Sequence, residues 1–177
     1  MKGRHQLQRS LEILAPRDVV WAILEDSMLL PRWVPAVHEV LGCAPGAESA
    51  GSVRECRVSF AGREGTIVER CVELVPSSFA AYVVDEDSLG FNRMFADYGF
   101  TIALEVAEAG RSTVRMDTYY TPRTIVTSVL NALFMKRRFA NAVDEILVGL
   151  AELAEASTQD NGLSRTSSAA RERVANP

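Results

Sequence analysis

Apolar side chains Leu7, Leu11 and Ile13 fall at odd positions in the segment 6–14, which predicts a half-buried first strand that Pro16 ends. The pattern then changes period. Val20, Ile23 and Leu24 place one apolar side on a short helix over 17–24, and 27–37 reads as a second short helix interrupted by Pro31 and Pro35. From there the alternation of strands returns. The segments 37–43, 51–60, 63–75, 79–86, 95–107 and 111–121 are separated by Pro45-Gly46, Ala61-Gly62, Pro76-Ser77-Ser78, Gly90 and Ala109-Gly110.

The last periodic segment is the longest. Thr121-Pro122 is an N-cap followed by proline at the first helical position, and proline does not recur before Pro177. A helix over 121–156 would be about 50 Å long. Its predicted apolar stripe runs through Val126, Val129, Leu130, Leu133, Ala140, Val143, Leu147, Leu150 and Ala154. The order strand, two short helices, six strands, long helix belongs to the α+β class, with about seven antiparallel strands and the helix lying across them. A cavity between helix and sheet is a natural outcome of that packing. After Ala156 the chain turns polar, so 1–156 reads as the folded domain and 157–177 as a disordered polar tail.

Pairing arithmetic selects the side chains that face such a cavity. A two-residue turn at Ala61-Gly62 sets Cys56 opposite Ile67 and Arg54 opposite Glu69, and cross-strand partners share a face. That face also carries Val58, Phe60 and Cys71, and is the more apolar. Arg54 and Glu69 would come inward with it, either as a structural pair or as an anchor for a ligand's polar group. Tyr82 opposes Cys71. In the final hairpin, Leu104 pairs with Val114, Ile102 with Met116, Phe100 with Thr118 and Tyr98 with Tyr120, all facing inward. The opposite face, with Asp97, Thr101, Arg115 and Asp117, reads as solvated. Tyr98 and Tyr120 are candidate polar handles, since a phenol is a donor on an apolar ring, and they suit backbone-bonded core tyrosines equally.

On the helix, Leu130, Phe134 and Arg137 are placed at the cavity. Phe134 also suits plain packing, and Arg137 either enters the pocket or runs its stem to solvent. The segment Gly90-Phe91-Asn92-Arg93-Met94-Phe95 is too apolar for a solvated loop and reads as a lid or as core packing, with Trp33 near the same mouth.

Composition narrows the chemistry. A net charge of −4 argues against a nucleic-acid partner, and only Lys2 and Lys136 among the 19 basic residues are lysines. Cys43, Cys56 and Cys71 lack CxxC spacing and suit free thiols in a cytoplasmic setting. No apolar run is long enough to span a bilayer. With only His5 and His38, and no HExxH, GxSxG or phosphate-binding glycine loop, neither a metal nor a cofactor is expected. His38 could serve as a general acid or base if its strand turned it inward. A buried thiol among apolar neighbours is ordinarily inert.

Three stretches resemble the START-related superfamily, in particular its bacterial polyketide cyclase/dehydrase branch. Ala15-Pro16-Arg17-Asp18-Val19-Val20-Trp21 resembles that family's entry into its first helix. Leu30-Pro31-Arg32-Trp33-Val34-Pro35-Ala36-Val37 resembles its second-helix pattern, and Tyr119-Tyr120-Thr121-Pro122 its last-strand-to-helix junction. The resemblance covers about 6–155. It implies the helix-grip fold and a deep apolar pocket, and fixes no single activity. Three functions remain open: a carrier or sensor of a hydrophobic small molecule (lipid, isoprenoid, quinone or polyketide-like); a cyclase, aromatase or dehydratase in which the tyrosines and the Arg54/Glu69 pair orient carbonyls; and a protein-interaction module.

Overall fold

Seven segments rich in β-branched and aromatic residues form strands in the computed structural model, which describes residues 1–43, 48–107 and 110–174, with side chains to Gln159 except that of Val106. They are β1 (His5–Ile13), β2 (Val37–Cys43), β3 (Val53–Phe60), β4 (Arg63–Val75), β5 (Phe79–Asp87), β6 (Phe95–Val106) and β7 (Ser112–Pro122). All pairings are antiparallel, and the sheet order is β1-β7-β6-β5-β4-β3-β2. Helix α1 (Arg17–Leu24), a 3-10 turn (Ser27–Leu29) and α2 (Leu30–Trp33) follow β1, and a single helical turn, α3 (Phe91–Met94), leads into β6. The chain ends in α4 (Ile125–Leu130), a π-helical turn (Asn131–Met135) and α5 (Lys136–Val174), which run on without a break. The curved sheet and the long C-terminal helix make this a helix-grip fold of the α+β class.

The hairpin arithmetic holds where the turns are tight. Ala61 and Gly62 both take positive φ, 53° and 77°, and close the two-residue turn. Phe60 then pairs with Arg63, Cys56 with Ile67 and Arg54 with Glu69. Cys71 pairs with Tyr82, and Phe100, Ile102 and Leu104 pair with Thr118, Met116 and Val114. The pairing of Tyr98 with Tyr120 does not form. A bulge between Ala96 and Gly99, with Asp97 at φ 54°, shifts the register by one residue. The outer face is also less solvated than its sequence suggests. Thr101 and Asp117 are buried, and Asp117 accepts from His5 Nε2 at 2.8 Å and Arg115 Nε at 3.2 Å.

Helix α5 buries Phe139, Ala140, Val143, Leu147, Leu150 and Ala154, and packs on β1, α1 and α2. Burying each large side chain contributes about 1.5–3 kcal/mol. Gly149 marks the closest approach, since a Cβ there would lie 2.3 Å from the carbonyl oxygen of Trp33. The helix passes Ala156, where the sequence pattern placed its end: the hydroxyls of Ser157 and Thr158 donate to the carbonyls of Leu153 and Ala154.

The front of the helix departs from expectation. Thr121 and Pro122 are not its cap. They continue β7, paired with Ala96 and Phe95. The N-cap is Thr124, whose hydroxyl accepts from the Thr127 amide at 3.1 Å while Thr127 Oγ1 accepts from the Thr124 amide at 2.9 Å. Asn131 and Phe139, eight residues apart, would differ by about 80° on a regular α-helix. The intervening π turn takes up the excess, so that Asn131 and Phe139 are both buried. Leu130, Leu133, Phe134 and Arg137, positioned inward by the regular period, are instead exposed.

Replacing Gly149 with alanine is expected to destabilise the protein by about 1–3 kcal/mol, because the new methyl meets backbone that cannot yield locally. Thermal denaturation followed by circular dichroism checks this. An unchanged midpoint would show that α2 and α5 can separate freely.

Candidate functional site

A cavity of about 160 Å³ lies between the sheet, α2 and α5. Its walls are mainly apolar. Val58, Ile67, Ala80, Phe100, Ile102 and Met116 come from the inward face of the sheet, and Phe139, Val143 and Ile146 from the helix. Leu89 and Phe91 close one side. The Asp87 carboxylate fixes them there, accepting from the amides of Phe91 and Asn92 at 2.7 Å each and from that of Gly90. Phe91 packs against Phe60, Tyr98 and Phe139, with ring centroids 5.2, 6.2 and 5.7 Å away. The apolar 90–95 segment is therefore a wall of the cavity as well as part of the core. Trp21 and Trp33 complete the lining beside α2.

One corner is charged. Arg54 and Glu69 are 6 % and 8 % exposed, and Arg54 Nε donates to Glu69 Oε2 at 2.8 Å. Arg54 Nη1 donates to Glu48 Oε1 at 2.9 Å, and the guanidinium carbon sits 4.4 Å from the Tyr82 ring centroid. Glu48 also accepts from the hydroxyls of Ser27 and Tyr82. Burial alone would lower the Arg54 pKa. The negative charge of Glu69, with Tyr82 and Glu48, outweighs it and holds the guanidinium above its ordinary value. Burial, with Glu48 adding to it, pushes the Tyr82 phenol up despite the nearby Arg54.

The three tyrosines part company. Tyr82 is committed to Glu48. Tyr120 lies beneath the cavity and does not line it; it is fully buried and donates to Asn131 Oδ1 at 2.7 Å. Burial pushes its phenol up to about 12, with Asn131 acting in the opposite sense. Tyr98 lines the cavity, and its phenol is raised by burial and by the charge of Glu69. Its hydroxyl makes no hydrogen bond to a described residue, and Trp33 Nε1 and Thr118 Oγ1, on residues that also line the cavity, are buried without a described partner as well.

Of the residues proposed from the sequence, the fold brings Arg54, Glu69, Tyr82, Tyr98, Phe100, Met116 and Thr118 to the cavity. It removes Tyr120, which spends its hydroxyl on Asn131, Leu130 and Phe134, which the π turn leaves facing outward, and Arg137, which lies past that turn on the exposed side of α5. His38 is exposed on β2, outside the cavity. Glu48 was missed. It lies between strands, where no periodicity says which way a side chain points; the donors that Glu69 leaves unmet on Arg54 gave no position for a further carboxylate. Pro45-Gly46, the turn expected before it, lies outside the described residues. Among the described residues no cluster of three or more His, Cys, Asp or Glu could hold a metal ion, and no helix is long and apolar enough to cross a membrane.

Grip of a long helix by a curved sheet, with an apolar cavity between them, is the architecture of the START-related superfamily. The chain belongs to the family described as polyketide cyclase/dehydrase and lipid transport, whose model matches residues 4–155. Solved structures share the fold at low identity. A START superfamily protein from Mycobacterium smegmatis superposes with a TM-score of 0.66 at 12% identity, covering 88% of this chain and 98% of its own. The Zhui aromatase/cyclase from Streptomyces sp. R1128 gives 0.64 at 18%, covering 88% and 93%. Ginseng major latex-like protein 151 from Panax ginseng gives 0.65 at 16%, covering 84% and 95%. No match is found among curated protein sequences.

Arg54→Met would leave the Glu69 and Glu48 carboxylates facing an apolar wall. Stability is expected to fall by about 3–5 kcal/mol in urea denaturation, and the triple variant Arg54→Met/Glu48→Gln/Glu69→Gln to recover part of it. A single variant as stable as wild type would show that water already reaches the corner.

The thiols give a pH test. Burial, then the charge of Glu69, pushes Cys56 up to about 12, whereas an unfolded thiol ionises near ~8.5. The folded state holds this proton more tightly, so the stabilisation is complete below the unfolded value and is lost as pH rises toward the folded one. A chromogenic disulfide at pH 8 is expected to label half-buried Cys43 first and to reach buried Cys56 and Cys71 only in denaturant. Equal rates at all three would contradict the packing.

Proposed function

We propose that residues 1–156 bind a compact, mainly apolar small molecule carrying one polar group, and hold it as a carrier or sensor, with 157–177 as a tail outside the binding unit. The observation that carries this reading is the partly open apolar cavity with a single free phenol, Tyr98, beside the Arg54–Glu69 corner. Cavities of about 150 Å³ accept a benzene-sized guest. The comparable volume here favours a one- or two-ring molecule, such as an aromatic polyketide fragment or a quinone head, over an extended acyl chain. A ring would pack among Phe91, Phe100 and Phe139 while its carbonyl or hydroxyl met the Tyr98 phenol.

The ionisable wall supports binding more than acid–base chemistry. Arg54, Tyr82 and Tyr98 are all displaced further from neutrality, whereas a general acid or base works best near the operating pH. Arg54 is also already neutralised by carboxylates, which removes it as a strong electrophile. The second reading, an aromatase/cyclase, rests on the free Tyr98 hydroxyl, which could polarise one carbonyl of a poly-β-keto chain.

Titration with 2-naphthol and with naphthalene, read by fluorescence, tests the assignment. Tyr98→Phe is expected to weaken naphthol binding about fivefold, the worth of one hydrogen bond, and to leave naphthalene binding unchanged. Ala80→Phe, which fills the cavity, should abolish both. Binding that survives Ala80→Phe would move the ligand elsewhere. Turnover of a poly-β-keto substrate that falls with Tyr98→Phe would favour the second reading.

A further inference from the structure

The front of the C-terminal helix presents its apolar side to solvent. Ile125, Val126, Leu133 and Phe134 are 84 %, 76 %, 64 % and 59 % exposed, and Val129 and Leu130 are exposed beside them. Their spacing puts all six on one side of the helix. The side turned toward the protein carries the polar residues: half-buried Thr127 and buried Asn131, which holds the Tyr120 hydroxyl. This is an amphipathic helix mounted with its apolar side outward, an arrangement that is unfavourable in water unless a partner covers it.

The charges around the ridge indicate which partner. Between Asp117 and Asp144 the chain contains no acidic residue, and it contains Arg123, Lys136, Arg137 and Arg138, in a protein of net charge −4. Among the described residues none of these four cations forms an ion pair with a carboxylate; Arg123 Nε donates to the Asn92 carbonyl at 2.9 Å. A second copy of the chain would bring like cations together across the apolar ridge. An anionic bilayer offers apolar depth under the ridge and phosphates around it.

We propose that residues 123–138 dock the protein on the surface of an anionic membrane, with the 125–134 ridge at headgroup depth and Lys136, Arg137 and Arg138 on lipid phosphates. Phe139, the next residue, is already a wall of the cavity and touches Phe60 and Phe91 at ring-centroid distances of 5.4 and 5.7 Å. Docking therefore sets the aromatic side of the pocket next to the bilayer, where a sparingly soluble ligand would be exchanged. The proposal goes beyond the pocket reading and does not depend on it.

The full-length protein is floated with vesicles of phosphatidylcholine containing about one part in four phosphatidylglycerol, and with phosphatidylcholine alone. Co-flotation with the anionic vesicles is expected, reduced on the order of tenfold by Val129→Glu/Leu133→Glu and weakened, with a flatter salt dependence, by Lys136→Gln/Arg137→Gln/Arg138→Gln. Retained 2-naphthol or naphthalene binding, or an unchanged circular dichroism spectrum if neither binds, shows that the variants are folded. Failure to float with either vesicle overturns the proposal, as does flotation that neither variant reduces. A dimer in analytical ultracentrifugation that Val129→Glu/Leu133→Glu abolishes, without vesicle binding by the wild type, overturns it in favour of a second copy.

Discussion

A guanidinium drawn into an apolar interior has to bring its counter-charge with it, and in this protein that requirement organises everything around the cavity. Arg54 enters because its strand alternates and its neighbours Cys56 and Val58 belong inside. Glu69 enters because the turn at Ala61-Gly62 sets it opposite Arg54. The pair still leaves Arg54 donors unmet, and Glu48 meets one of them while gathering Ser27 and Tyr82. Four segments distant in sequence are thereby tied to a single charge. A buried ionic group of this kind contributes little net stability compared with an apolar replacement. Its value lies in shape: it fixes one polar corner in a cavity whose other walls have no directional preference.

Tyr98 gains meaning against that background. Three inward phenols are available in the sequence, and two are spent on protein partners, Tyr82 on Glu48 and Tyr120 on Asn131. The one left over stands where a bulge at Asp97 has displaced it from its expected partner. Polar groups that the fold does not use itself are the ones available to a ligand. Arg54, Tyr82 and Tyr98, wall groups with displaced pKa values, have all moved away from neutral pH.

Much of this was legible in the sequence. Strands with tight turns gave their register directly, since a two-residue loop leaves only one pairing and the period of two then assigns every face. Arg54 and Glu69 follow from that alone; Phe100 and Thr118 rest on the longer turn expected over 107–111, and Tyr82 meets Cys71 only past a register shift in β4. What escaped was every feature that breaks a period. The bulge at Asp97 moved Tyr98 by one residue, Glu48 sits between strands with no period to read, and the helix changed pitch at Asn131. Leu130, Phe134 and Arg137 were misplaced because a regular period of 3.6 was carried across a turn that does not have it.

That change of pitch is equivalent to one residue of chain length. A sequence with one residue fewer between Leu130 and Lys136 could continue as an unbroken α-helix with both faces kept, because Asn131 and Phe139 would then be seven apart and within about 20° of each other. The same sequence wound without the π turn would instead rotate the front hydrophobic residues by about 100° relative to the rest, and Ile125 and Val129 would turn toward the core. The pitch of this one turn therefore decides which way the front of the helix faces. Two chains with near-identical hydrophobicity profiles could differ in whether they present a bare apolar ridge, with no gap in their alignment to mark it.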